Sequence, residues 1–134
     1  MQTILIANPK GGSGKTTLAT NVAGWLAGKR QRVGIEDLDP QQSSTGWLAR
    51  RPALFPPIAL IERGARRKDT KALDLQWRVV DSPAGLHGEE LREAVGDGPV
   101  ITDDRPLPEY FILRRLQNPD APRLSMKGLR DLLD

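Results

Sequence analysis

The feature that most constrains this sequence is a glycine-rich segment between an apolar run and a helical pattern. Residues 3–7, Thr-Ile-Leu-Ile-Ala, form a short and nearly continuous apolar run, which is typical of a strand buried on both faces. Residues 8–17 then read NPKGGSGKTT, and from Lys15 the apolar residues recur at helical intervals as far as Gly28. We therefore expect a buried strand, a tight glycine turn and a helix in direct succession.

The rest of the chain repeats this alternation of strand and helix patterns. Strands that alternate with helices predict a parallel sheet with right-handed crossovers, and hence a three-layer α/β domain in which helices flank a mostly parallel sheet. The pattern changes after Gly96, where loop-like stretches rich in proline interrupt it. The predicted strands cover residues 3–7, 32–36, 58–61, 77–81 and 99–102, and the predicted helices cover residues 15–28, 42–50, 65–73, 86–95, 109–117 and 125–133.

The glycine-rich segment has the residue types that a phosphate-binding loop needs. Its glycines allow backbone N–H groups to turn inward around phosphate oxygens, and the helix that follows adds the positive end of its dipole. In such a loop the ammonium group of Lys15 would reach the β- and γ-phosphates, the Thr16 hydroxyl would bind Mg²⁺, and Thr17 would touch the α-phosphate. The candidate nucleotide-binding residues are Lys10, Gly11, Gly12, Ser13, Gly14, Lys15, Thr16 and Thr17.

A proline and a second lysine distinguish this loop from the general pattern. The pattern G-x-x-x-x-G-K-[ST] would place its first glycine at position 9, where this chain has Pro9 followed by Lys10. The stretch KGGSGKTT, from Lys10 to Thr17, resembles the deviant Walker A motif of the ParA/MinD family of ATPases. The resemblance implies that Lys10 crosses a dimer interface and contacts the phosphates of the partner's nucleotide, a reach that suits a compact charge on a long, flexible side chain.

Two carboxylates follow the predicted second strand. Residues 37–41, Asp-Leu-Asp-Pro-Gln, are similar to the D-x-D-P-Q segment of the same family. Carboxylates at the carboxyl edge of a parallel sheet face the crevice in which ligands bind. The resemblance implies that Asp39 organises the attacking water and that Asp37 contributes to the Mg²⁺ environment. The alternative is a loop in which an aspartate only caps the helix that follows.

A third segment completes the resemblance. Residues 79–86, Val-Val-Asp-Ser-Pro-Ala-Gly-Leu, are similar to the family's Walker B segment, a hydrophobic strand that ends in D-x-P-A-G. The resemblance implies that Asp81 holds Mg²⁺ through a water molecule and that the backbone of Gly85 senses the γ-phosphate. The implied catalytic residues are Lys10, Lys15 and Asp39, the implied metal-binding residues are Thr16, Asp37 and Asp81, and the implied cofactors are ATP and Mg²⁺.

The resemblance also implies a function. It indicates a P-loop NTPase-like fold and an ATPase that closes into a nucleotide sandwich homodimer and drives DNA or plasmid partition or the positioning of other cargo. We expect slow hydrolysis that a ParB-like or other partner protein raises, binding to DNA without sequence preference, and no membrane association. Two alternatives stay open: a shortened nucleotide-binding module that regulates a full-length relative, and a composite of two unrelated gene fragments.

The chain divides at about residue 95 into two predicted parts. Residues 1–95 are the predicted ATPase domain, and residues 96–134 are a divergent C-terminal segment that packs on this domain or trails from it. Family members generally continue past Walker B with further strands and helices, so we expect a fold that is shortened at its C-terminus. Residues 101–111, ITDDRPLPEYF, resemble the terminal segment of spermidine-synthase-like proteins over about ten residues only, without the body that gives the motif meaning.

Composition excludes several classes of protein. The chain has no cysteine, which removes disulfides, thiolate metal sites and thiol nucleophiles. No stretch approaches the roughly 18–20 apolar residues that span a bilayer, and the N-terminus lacks the features of a signal peptide, so we expect a cytoplasmic protein. The family resemblance implies the bacterial cytoplasm or nucleoid. Arginines and lysines concentrate between residues 50 and 71, and this cluster is either a surface for DNA phosphates or an acidic partner, or a solvated face.

Overall fold

The computed structural model describes residues 1–7, 14–65, 67–85, 99–102 and 112–115 of the 134-residue chain. Strands and helices alternate over most of this length, as the sequence pattern predicts. The elements are β1 (Gln2–Ala7), α1 (Lys15–Gly28), β2 (Val33–Asp37), α2 (Ser43–Ala49), β3 (Ala59–Ile61), α3 (Arg67–Lys71), β4 (Trp77–Asp81), β5 (Pro99–Thr102) and β6 (Ile112–Arg115).

The described strands form one sheet in the order β3-β2-β4-β1-β5-β6. All neighbouring strands from β3 to β5 pair in parallel, and only β6 runs antiparallel, against β5. Parallel neighbours must be joined by crossovers, and helices α1, α2 and α3 lie in the described connections between β1 and β4. The predicted α/β fold with a mostly parallel sheet is therefore confirmed.

The register of the sheet brings three strand ends to one line. Asp81, the last residue of β4, pairs with Ile6 of β1 on one side and with Asp37 of β2 on the other. The loops continue this alignment, because the Asp81 carbonyl accepts a hydrogen bond from the Leu38 backbone N–H at 2.9 Å, and the Ser82 hydroxyl donates to the Ile6 carbonyl at 2.6 Å. The segments that follow β1, β2 and β4 consequently leave the sheet at the same edge.

Helix α1 covers one face of the sheet. Side chains alternate between faces along a strand, so Ile4 and Ile6 of β1 lie on the same face and pack against α1, where Val22 and Leu26 meet them one turn apart. Each of these side chains is almost fully buried, and such burial stabilises the fold by about 1.5–3 kcal/mol per large aliphatic residue. The remaining buried members of this core are Ala19, Ala23, Ala27, Val33, Ile35, Trp77 and Val79.

The opposite face of the sheet holds a buried ion pair and a close contact. Glu36 of β2 is paired with Arg78 of β4, whose Nε donates to Glu36 Oε2 at 2.6 Å, and Oε1 accepts the Gly64 backbone N–H at 3.2 Å. At Gly34 a Cβ atom would lie 2.7 Å from Cδ1 of Leu75 and 2.8 Å from Cδ1 of Ile61. The absence of a side chain at Gly34 is thus what lets these two residues cover the sheet.

The sequence prediction is wrong for one element and too long for another. The predicted helix over residues 109–117 is replaced at Ile112–Arg115 by strand β6, because pairing with β5 satisfies backbone groups along an edge that a helix would leave unpaired. Helix α3 is shorter than the predicted span 65–73, and Asp74 follows it in a left-handed conformation with φ 49°. The predicted helices over 86–95 and 125–133 lie outside the described residues.

The described helices are short. The longest of them, α1, has 14 residues. Within the described ranges, none of the helices has the length and apolar character to cross a membrane.

Candidate nucleotide-binding site

Helix α1 begins directly after a glycine in a left-handed conformation. Gly14 is the N-cap of α1 with φ 85° and ψ 19°, no side chain caps the helix, and its first turn has no acidic residue. A Cβ atom at Gly14 would have nothing within 4 Å, so the backbone conformation and not the available space requires glycine here. Because no side-chain acceptor caps this helix, its N-terminal N–H groups and dipole favour an anion such as phosphate. Of the predicted loop, residues 8–13 lie outside the described residues, and with them the predicted roles of Lys10, Gly11, Gly12 and Ser13.

The first residues of α1 place three predicted nucleotide-binding side chains in one turn. Lys15 is buried, Thr16 is half-buried and Thr17 is exposed. The Thr16 hydroxyl donates to Oδ2 of Asp81 at 2.8 Å. This contact joins residues that are 65 positions apart in the sequence, and it brings the predicted Walker A and Walker B segments together.

Asp81 is the most buried carboxylate of the site. Its side chain is fully buried, and Oδ2 accepts two hydrogen bonds, from Thr16 and from the Ser44 hydroxyl at 2.6 Å. Burial raises the pKa of Asp81, the hydrogen bonds from Ser44 and Thr16 oppose that rise, and the charges of Asp37 and Asp39 add to it. Among the described residues, its Oδ1 atom has no hydrogen-bond partner. A buried carboxylate with one oxygen left unpaired fits a divalent cation next to it.

Asp37 holds the beginning of α2. Its Oδ2 atom accepts the Thr45 backbone N–H at 2.9 Å and the Thr45 hydroxyl at 2.9 Å, and its Oδ1 atom accepts the Asp39 backbone N–H at 3.1 Å. The N-cap residue of α2, Gln42, makes no side-chain capping hydrogen bond, so Asp37 supplies the acceptor from the neighbouring strand. These contacts correspond to the alternative of an aspartate that caps the following helix, and the metal role of Asp37 stays a prediction.

Asp39 lies half-buried in the turn between β2 and α2. Its Oδ1 atom accepts the Gln41 backbone N–H at 3.0 Å, and its carbonyl accepts the Gln42 N–H at 3.0 Å. The turn carries Asp39 past the edge of the sheet at which β2 ends. The ligand crevice that the sequence predicts at this edge and the role of Asp39 in orienting water both stay predictions.

Two polar residues of the site, Ser44 and Thr45, are absent from the predicted set. They are consecutive in α2, and their hydroxyls donate to two different strand-end carboxylates, Asp81 and Asp37. Hydroxyl residues at the start of a predicted helix are a signal for capping. That signal does not identify Asp81 as a partner, because the contact depends on the pairing of β2 with β4.

The carboxylates do not form a closed metal cage. In the part of the chain that the structure describes, no three histidine, aspartate or glutamate side chains are grouped so that they could hold a metal ion. Mg²⁺ does not need such a group, since it is usually bound by one or two protein ligands together with substrate phosphates and water. The donor set of Thr16 and Asp81 is of this kind, and Mg²⁺ stays a proposal for this chain.

Comparison with known protein families decides the identity of the fold. A model of the CobQ/CobB/MinD/ParA nucleotide binding domain matches residues 4–134. The chain belongs to this family. The predicted ParA/MinD resemblance and the P-loop NTPase type of the α/β fold are thereby confirmed, and the roles of Thr16 and Asp81 in nucleotide and metal binding stay predictions.

Several curated proteins are similar to this chain over part of its length. The chain is 37% identical over 103 residues to "Maintenance of carboxysome distribution protein A" of Gloeobacter kilaueensis, a match that covers 77% of this chain and 38% of that protein. It is 53% identical over 45 residues to "Chromosome-partitioning ATPase Soj" of Thermus thermophilus, covering 34% of this chain and 18% of Soj. It is also 33% identical over 99 residues to "Chromosome partitioning protein ParA" of Caulobacter vibrioides, covering 68% of this chain and 36% of that protein. In these alignments the chain spans well under half of each relative's length.

Proposed function

We propose that this chain is a ParA-like ATPase that binds ATP with Mg²⁺, closes into a nucleotide sandwich dimer and drives DNA partition or cargo positioning. The family and the names of its relatives, which include a chromosome-partitioning ATPase and a carboxysome distribution protein, support this role. The observation that carries the proposal is the contact between the Thr16 hydroxyl and the buried Asp81 carboxylate. The contact supports the proposal because Thr16 and Asp81 would together hold Mg²⁺ beside the helix terminus that the phosphates would occupy.

In this proposal the chain binds phosphates mainly through α1. Gly14, in its left-handed conformation, is the N-cap of helix α1, and the first N–H groups of the helix would contact the anion. The Lys15 ammonium would neutralise charge on the β- and γ-phosphates. Thr16 and Asp81 would hold Mg²⁺, which supplies further charge neutralisation when it is bound. Asp39, in the turn between β2 and α2, would orient the water molecule that attacks the γ-phosphate.

Lys10 would make the proposed dimer depend on bound nucleotide. In each protomer its ammonium group would contact the triphosphate held by the partner, so that two protomers close only when both sites carry nucleotide. The added positive charge would also stabilise the transition state. We expect slow turnover that a ParB-like or other partner protein raises.

The basic cluster supplies a surface for DNA in this proposal. The side chains of Arg50, Arg63, Lys68 and Lys71 are exposed, whereas Arg51 is half-buried and donates from Nη2 to the Pro56 carbonyl at 2.9 Å. The exposed cations would meet phosphates without reading sequence, and a dimer would double the number of such contacts. This would make DNA binding depend on ATP and on salt concentration.

Hydrolysis and dimerisation of the 134-residue chain test this proposal. ATP turnover is measured with and without DNA for the wild type and Asp39→Asn, with Asp74→Asn as an exposed control. We expect Asp39→Asn to abolish turnover while ATP still produces a dimer in light scattering. Lys10→Ala should stay monomeric with ATP, whereas Lys29→Ala, at the far end of α1, should dimerise.

Two results would contradict the proposal. A wild type that stays monomeric at saturating ATP would exclude the sandwich dimer. A wild type that binds ATP without turning it over would instead indicate a nucleotide-binding module that regulates a longer relative.

A further inference from the structure

Ser44 is a buried hydroxyl residue of the site that none of the sequence motifs includes. It lies in the first turn of α2, is 0% exposed, and donates to Oδ2 of Asp81 at 2.6 Å. The same oxygen accepts the Thr16 hydroxyl at 2.8 Å. One oxygen of the carboxylate therefore receives two donors from two different helices, α1 and α2.

This arrangement fixes the rotation of the Asp81 carboxylate. With Oδ2 held from both sides, Oδ1 is the oxygen that has no hydrogen-bond partner among the described residues.

Ser44 itself is held in place from the neighbouring strand. The next residue, Thr45, donates both its backbone N–H and its hydroxyl to Oδ2 of Asp37, each at 2.9 Å. Asp37 and Asp81 are paired in adjacent strands, so the turn of α2 that carries Ser44 is tied to both strand ends. These contacts tie the position of the Ser44 hydroxyl to the sheet.

We propose that Ser44 is a positioning residue that orients the Asp81 carboxylate toward a divalent cation bound together with a nucleoside triphosphate. This inference rests on the proposed function, since it requires that Mg²⁺ bind with ATP at this site. Replacing a residue that hydrogen-bonds to a metal-binding side chain typically lowers metal affinity or activity by about 10- to 100-fold. If the Ser44 hydroxyl only packed α2 against the sheet, its removal would change the stability of the fold and leave the metal dependence of nucleotide binding unaltered.

The test compares nucleotide binding with and without the metal. A fluorescent, non-hydrolysable ATP analogue is titrated into the 134-residue chain in EDTA and then at increasing Mg²⁺, and binding of Mn²⁺ in the presence of the analogue is measured by EPR. The variant is Ser44→Ala, and the matched control is Ser43→Ala, which removes an exposed hydroxyl from the preceding residue of the same helix. Ser44→Thr keeps a hydroxyl, and Ser44→Cys keeps the side-chain volume with a weak S–H donor.

We expect Ser44→Ala to weaken Mg²⁺ and Mn²⁺ binding by about tenfold and to leave metal-free analogue binding within about twofold of the wild type. Ser43→Ala should match the wild type, and Ser44→Thr should recover most of the loss. If Ser44→Ala does not fold, Ser44→Cys gives the same comparison, and we expect a smaller loss of metal affinity.

The outcomes separate this inference from the proposed function. Unchanged metal affinity in Ser44→Ala, with a wild type that responds to Mg²⁺, would overturn the role of Ser44 alone. A wild type whose analogue binding does not respond to Mg²⁺ would overturn both. Equal losses of metal-free and metal-bound affinity would show a structural effect and would also overturn the positioning role.

Discussion

Asp81 connects more parts of the described site than any single motif does. It accepts hydroxyls from two helices through one oxygen, and its backbone carbonyl accepts the N–H of Leu38 at the end of the neighbouring strand. Its burial destabilises the charged form, and the hydrogen bonds from Ser44 and Thr16 offset part of that cost. At the scale of single residues, the site therefore depends on hydroxyl donors as much as on the carboxylates and lysines that motif reading identifies.

Gly14 gives a prediction at the same scale. Gly14→Ala would place a β-carbon on a residue with φ 85°, which costs about 1–2 kcal/mol of folding free energy without creating a clash. Gly28→Ala, the control at the other end of α1, also meets no atom within 4 Å and has no positive φ, so it should raise stability by roughly 0.5–1 kcal/mol. Urea denaturation of both variants measures the difference. Equal stabilities of the two variants would contradict this explanation of Gly14.

Helix α2 is the element on which the two strand-end carboxylates converge. It has seven residues, its N-cap Gln42 makes no side-chain cap, and the acceptor for its Thr45 N–H comes from Asp37. A helix this short is marginal by itself, so its stability depends on such contacts. The helix is therefore part of the site, because the same contacts set the position of Ser44.

Asp37→Asn tests the structural role of this carboxylate. In the absence of nucleotide and Mg²⁺, we expect the free energy of unfolding to fall by about 1–2 kcal/mol, because an amide nitrogen cannot accept the N–H groups that Asp37 accepts. Asp74→Asn, an exposed aspartate, should change it by less than about 0.5 kcal/mol. If Asp37 were only a metal ligand, its neutralisation would relieve repulsion from Asp81 and would raise stability instead.

The elements differ in how well the sequence predicts them. Strands β1, β2 and β4 are predicted within a residue or two because each contains a short apolar run with a clear end: β1 precedes the glycine-rich segment, and β2 and β4 end at an aspartate. Strand β6 was predicted as helix because the pattern over residues 109–117 is short, and only the unpaired edge of β5 decides between the two conformations. The contacts of Ser44 with Asp81 and of Thr45 with Asp37 depend on strand register, which local pattern does not contain.

At the scale of the whole molecule, the sheet has one apolar face and one with a buried ion pair. Helix α1 packs on the first, while Glu36 and Arg78 join β2 to β4 on the second, and Glu36 also holds the turn after β3 through Gly64. The Glu36 side chain is only 3% exposed and that of Arg78 is 20% exposed. The loss of unfolding free energy on replacing Glu36 should therefore differ from the loss on replacing Arg78.

Replacing this ion pair gives a prediction for the whole fold. Arg78→Met leaves the Glu36 carboxylate buried without its cation and should lower the free energy of unfolding by about 3 kcal/mol or more. Glu36→Met should cost less, because Arg78 can reach water. The double variant should lie within about 1 kcal/mol of the wild type, since a well-packed apolar pair replaces a buried ion pair at little net cost. Strictly additive losses in this double-mutant cycle, measured by urea denaturation, would contradict the account.

The proposed DNA surface gives a second prediction at this scale. Arg63→Ala and Lys68→Ala should each weaken binding to DNA of any sequence and reduce the slope of log affinity against log salt by about 1. Arg32→Ala is the control, because Arg32 is exposed but pairs with Asp74 before β2. Fluorescence anisotropy in the presence of an ATP analogue over a range of salt measures the slopes. Equal slopes for all three variants would place the DNA surface elsewhere.

The register of β4 decides on which side of the sheet its last side chain lies. Side chains along a strand point alternately to the two faces, and Trp77, Val79 and Asp81 share the face on which Thr16 and Ser44 donate. An inserted residue between Val79 and Val80 would move the carboxylate to the opposite face and erase the site while leaving the strand intact. An insertion in the turn at residues 72–76 would keep the alternation. Among natural homologues, insertions and deletions should therefore occur in the turn before β4 and not within the strand.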